Sequence, residues 1–133
     1  MLNKVILIGR LSKDLELRYT KNGHATCNFT LACDRKMKDA NGEKQADFIP
    51  VVVPPLRGKL AELCSQYLDK GKLVAVEGEI HIRSYDAQDG SKRWVTEVEA
   101  ETVKFLSSKT NSSESQNSSL GQEVQYDPND VPF

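Results

Sequence analysis

Apolar residues recur at every second position along several short stretches of the chain, and each such stretch reads as a strand with one buried face. In the longest, Val74, Val76, Ile80 and Ile82 are interleaved with Glu77, Glu79, His81 and Arg83, ahead of an Asp89-Gly90 bend and a return strand that begins near Trp94. This predicts a long hairpin over residues 71–106, apolar on one face and polar on the other. Gly90 tolerates the positive φ such a reversal needs. The polar face carries Arg83, Tyr85, Lys92 and Arg93 around the bend.

Upstream, residues 4–11 and 15–19 read as strands, with Gly9 where a strand bends sharply round a small barrel. Lys21-Asn22-Gly23 makes a turn, and residues 25–35 form a strand with Cys27, Phe29, Leu31 and Cys33 inward. Residues 36–44 are a polar loop expected to be mobile, and residues 48–53 form the third of the longer strands, after 4–11 and 25–35, which Pro54-Pro55 ends. Over residues 59–69 the period changes. Leu60, Leu63, Cys64, Tyr67 and Leu68 have the spacing of one helical face, and Gly71 is placed to stop that helix. Short strands with one helix between the third and fourth predict an all-β fold, an OB-fold: a five-stranded, partly open Greek-key barrel whose faces bind oligonucleotides or oligosaccharides. An SH3-like barrel accounts less well for the helix.

Composition divides the chain. All 18 Lys and Arg residues precede Thr110, together with 15 of the 19 acids, so that part carries +3 and the remainder −4. The asymmetry suits a polyanion-binding body with an acidic tail, although +3 is also common in proteins that bind no nucleic acid. Residues 107–126, rich in Ser, Asn and Gln, are expected to be a flexible linker after a folded domain at 1–106. Residues 127–133 (Asp127, Pro128, Asn129, Asp130, Val131, Pro132 and Phe133) are expected to form an acidic tip that presents a peptide ligand with its terminal carboxylate to protein partners.

No apolar run approaches the ~20 residues of a membrane span, and no secretion signal is evident, so a cytoplasmic protein is expected. Cys27, Cys33 and Cys64 lack metal-ligand spacing and read as buried thiols. His24 and His81 have no partners at ligand spacing, and no catalytic constellation can be argued. A non-enzymatic binder with neither metal nor cofactor is therefore expected.

Much of the chain resembles the bacterial single-stranded DNA-binding proteins of replication, recombination and repair. The resemblance rests on residues 3–11, Leu17-Arg18-Tyr19, Phe29-Thr30-Leu31-Ala32, Ala46-Asp47-Phe48, Gly58-Lys59-Leu60-Ala61-Glu62, Val76-Glu77-Gly78, Arg83-Ser84-Tyr85, Thr96-Glu97-Val98 and the acidic tip. It implies a homotetramer that wraps single-stranded DNA, stacking bases on aromatic rings with cations alongside, and whose tip recruits replication and repair proteins. Phe48 and Tyr85 match two stacking positions; the third aromatic is replaced by the longer Pro54-Pro55-Leu56-Arg57, where Arg57 would have to stack or meet phosphate instead. Phe48 is open to a core role on phase alone, and Trp94 either stacks or caps the barrel. Arg10, Arg18, Arg57, Lys59, Arg83, Lys92 and Arg93 are the candidate cationic contacts.

Overall fold

The computed structural model describes residues 1–107. Its elements are β1 (Val5–Leu11), β2 (Glu16–Tyr19), β3 (Ala25–Asp34), β4 (Ala46–Val53), a 3-10 turn (Pro55–Arg57), α1 (Gly58–Tyr67), β5 (Leu73–Asp86) and β6 (Lys92–Phe105). The strand order β1-β5-β6-β4-β3-β2 is closed by a β1–β3 pairing. Leu11 pairs with Leu31, while Glu16 to Tyr19 pair with Asn28 to Ala25. Thus β1 and β2 lie along one edge of β3 as two halves of a broken strand, and the barrel is the five-stranded OB-fold.

Closure depends on two close backbone approaches. At its end β1 turns from β5 to β3, and a Cβ on Gly9 would fall 2.5 Å from the Ala32 carbonyl oxygen. Gly78 pairs with Ala100 beside an extra residue, Glu101, in β6, and a Cβ there would fall on the Glu99 carbonyl oxygen. Glycine is required at both positions because no side chain fits between the strands. Beyond Val98, the last residue of β6 on that side to pair with β4, the β5–β6 hairpin runs on to Asp86 and Lys92 as an arm.

The core is built from alternate residues of the strands, chiefly Leu11, Cys27, Phe29, Leu31, Val51, Val53, Val74, Val76, Val98 and Ala100, and α1 covers one end of it. Cys27 and Cys64 are buried and hydrogen-bonded to each other; that contact, and burial, hold the Cys64 thiol well above its ordinary pKa. Cys33 is only half-buried.

Four expectations need correction. The helix ends at Tyr67, with Leu68 already extended, and Gly71 (φ 92°) serves the following turn, where Lys72 N–H bonds to Asp69 C=O. Within the helix Ala61 and Cys64 are buried, with Leu60 packed on the core and Leu68 buried just past its end, whereas Leu63 and Tyr67, each 41% exposed, lie at the margin of that face. Ile80 and Ile82 keep the phase of Val74 and Val76 but are exposed, since the arm has outrun the core. Lys92 lies on the opposite face of the arm from Arg83, Tyr85 and Arg93, because it pairs with Asp86 and strand alternation sends it to the other side. In the 36–44 loop, Asp39 to Glu43 make a turn in which the Asp39 carboxylate accepts bonds from the Asn41 and Glu43 N–H groups and, from outside the turn, from Gln45. The expected linker 107–126, apart from Ser107, and tip 127–133 lie outside the described residues.

Candidate nucleic-acid interface

Strand β4 reads Phe48-Ile49-Pro50-Val51-Val52-Val53 and is apolar on both faces. Ile49, Val51 and Val53 turn inward; Phe48, Pro50 and Val52 turn outward with Ala32, Thr30 and Asn28 of β3 beside them. An apolar outer row on a central strand costs solvation, and here it forms the floor of a groove of about 300 Å³. Lys13, Asp14 and Glu16 stand at one side, with Arg83, Val95 and Glu97 of the arm at the other. Phe48 is 63% exposed next to this floor, and so has no part in the core.

Register fixes what the arm presents. Tyr85 pairs with Arg93, so these two share a face, and Arg83 lies two residues back on the same face of β5. Ser84 pairs with Trp94, which therefore lies on the other face with Ile80, Ile82 and Lys92. Tyr85 is 46% exposed and Trp94 67%. A strand of bases stacked on Tyr85 reaches Trp94 only by rounding the arm.

Three of the candidate cations on the groove side are held by carboxylates. Arg18 Nη2 is 3.2 Å from Glu16 Oε1, Arg83 Nε 3.2 Å from Glu97 Oε2, and Arg93 Nη2 3.4 Å from Asp89 Oδ2. Asp89 also accepts bonds from the Ser91 hydroxyl and N–H, which together with Arg93 hold its carboxyl below the usual range. Beside Phe48, Arg35 clasps both oxygens of Asp47, closing the neck of the 36–44 loop and lowering the Asp47 pKa. Arg35 was not among the sequence candidates; its spacing from Asp47 across a hairpin neck was the available signal.

The other candidates lie elsewhere. Arg10 donates to the Gly71 carbonyl at 3.0 Å. Arg57 and Lys59 line a separate cleft of about 1030 Å³ with His24, Pro55 and Leu56, which shares no lining residue with the groove. Among the described residues no His, Cys, Asp and Glu side chains group as a metal site, and no helix is long and apolar enough to cross a membrane.

Further back along β5–β6, on the strand face that Arg83 and Tyr85 share, the surface turns acidic. His81 Nε2 lies 3.0 Å from Glu79 and Nδ1 3.3 Å from Glu99, and chiefly the Glu79 bond raises its pKa. Lys4 bridges Glu77 at 2.6 Å and Glu101 at 3.6 Å. Along one strand face the arm's ring and arginines thus give way to a carboxylate-rich stretch, and the end beside the groove is the part suited to a polyanion.

Residues 2–106 match the Single-strand binding protein family. Single-stranded DNA-binding protein 2 of Clostridium acetobutylicum is 53% identical over 138 aligned residues, covering 99% of this chain and 100% of that one. Single-stranded DNA-binding protein 3 of the same organism is 55% identical over 106, covering 79% of this chain and 71% of its own. Among solved structures, a Plasmodium falciparum SSB complex with ssDNA superposes with a TM-score of 0.70 at 27% identity, covering 80% of this chain and 96% of that one. With an OB-fold closed through Gly9 and Gly78 and exposed rings beside its groove, the chain belongs to the single-strand binding protein family.

Proposed function

We propose that this protein binds single-stranded DNA across the groove between the arm and β3–β4, coating exposed strands during replication, recombination and repair. The observation that carries the reading is the pair of exposed rings, Phe48 and Tyr85, beside an apolar floor with Arg83 at its wall. Exposed aromatics at such a place suit unpaired bases, each stacked base contributing ~1 to 3 kcal/mol irrespective of sequence. Arg57 and Lys59 serve a strand that continues past the barrel end, and Trp94 and Lys92 one that rounds the arm; Arg10, tied to Gly71, is the weakest contact. No bond-making step is required of any residue.

The edge of β1 supports self-association. From Val5 to Gly9 it pairs with β5 on one side only, and Ile6 and Ile8 are exposed along it. An unpaired apolar edge is a template for another strand, and a second copy, assembling further to a homotetramer, is the reading we adopt. The linker and the tip at Asp127–Phe133 then serve as a tether that recruits replication and repair proteins. Saturable binding of oligo(dT), weakening as salt rises, tests the DNA reading, and light scattering tests the tetramer. Deleting residues 127–133 is expected to abolish partner capture and spare DNA binding; loss of both would contradict this division of labour.

A further inference from the structure

The same face that carries the rings also carries its own carboxylates. Arg18, Arg83 and Arg93 are each within 3.4 Å of Glu16, Glu97 or Asp89. Glu16 and Glu97 both line the groove, and the Glu97 side chain, only 13% exposed, is held against Arg83. Asp89 is anchored by Ser91 at the arm tip, next to the arginine that pairs with Tyr85. Each carboxylate occupies the place a phosphate oxygen would take on its arginine. Exposed ion pairs are weak enough to be exchanged, but an exchange leaves the displaced carboxylate beside the incoming phosphate. The pair then neutralises no net phosphate charge and releases no net counterion from the DNA.

We propose that Glu16, Glu97 and Asp89 are built-in competitors for phosphate. They set a low electrostatic share of DNA binding and leave most of the affinity to base stacking. The inference rests on the groove being the DNA site. Its consequence is a protein whose hold on single strands is less sensitive to salt than its count of surface arginines suggests, and from which a strand can slide without breaking many strong ionic contacts.

The test is the slope of log Kobs against log salt for fluorescent oligo(dT), measured on the full chain for wild type, E16Q, E97Q, D89N and the triple variant. Each substitution frees one arginine, so each slope should steepen by about 0.7 and the triple by about 2, with tighter binding at low salt. Asp69→Asn, the same charge change just past α1 at a residue that neither lines the groove nor pairs with a candidate arginine, should leave the slope alone. Should E97Q fail to fold, E16Q and D89N carry the test, since both side chains are exposed. Wild-type binding with unchanged or shallower slopes in the variants overturns this inference alone, as does an equal steepening in Asp69→Asn. No wild-type binding overturns the DNA reading, and this inference with it.

Discussion

His81 sits between Glu79 and Glu99, and its imidazolium is favoured by both. Its pKa is raised above the ordinary 6.5, so the charged form is the better bound one in the folded state. By linkage this contact adds stability that is fully present below the unfolded-state value and is lost as the pH rises through the higher folded value. An NMR titration should place the His81 midpoint above 6.5 and bring it down in Glu79→Gln; a midpoint at 6.5 in both would show the contact to be inert. Among single residues, Phe48 was the hardest to read. Because β4 is apolar on both faces, periodicity carries no information about which face is buried, and resemblance rather than phase pointed to the exposed ring. Tyr85 was legible, since a row shared with Arg83 does not look like core. The face of Trp94 was not, because it depends on its pairing with Ser84, and only the register of the finished hairpin supplies that.

Strand existence was legible throughout, because inward positions such as Cys27, Phe29 and Leu31 alternate cleanly with polar ones. What failed was the assumption that one period means one environment. The stripe Val74, Val76, Ile80, Ile82 crosses from core to solvent where the arm leaves the barrel, and alternation cannot reveal where the opposing layer ends. The helix was read more nearly right: Leu60, Cys64 and Leu68 face the core as their spacing predicts, while Leu63 and Tyr67 fall at the margin of that face and Ala61, too small to stand out in a hydrophobic pattern, is fully buried. Gly78 can be tested at this scale. Gly78→Ala is expected to destabilise by about 1–3 kcal/mol, as overpacked sites do, read as a lower midpoint in urea; an unchanged midpoint would mean the β5–β6 bulge relaxes freely. The two faces of the arm give a second test. An oligo(dT) of about 8 nucleotides, within the ~4–16 that one OB fold covers, should bind on the Tyr85 face without quenching Trp94. Longer oligomers that round the arm should quench this sole tryptophan. Equal quenching by both would put the strand on the Trp94 face.

At the scale of the whole molecule, the fold grades its charges along the β5–β6 hairpin: rings and arginines around the groove, and carboxylates with Lys4 and His81 further back on the same strands. Net charge alone conveyed none of this. The +3 of residues 1–109 and the −4 of the remainder were readable as totals, but the distribution of charge over the barrel depends on which strand faces are exposed. The claim on which the rest depends is that Phe48 and Tyr85 grip unpaired bases. Its most direct measurement is an anisotropy titration of labelled oligo(dT) at fixed salt with wild type and the Phe48→Ala/Tyr85→Ala double variant. Both rings are exposed, so the thermal midpoint should barely move, while the loss of two stacked bases at ~1 to 3 kcal/mol each should weaken binding by at least about tenfold. A double variant that folds and binds oligo(dT) as tightly as wild type would contradict the account.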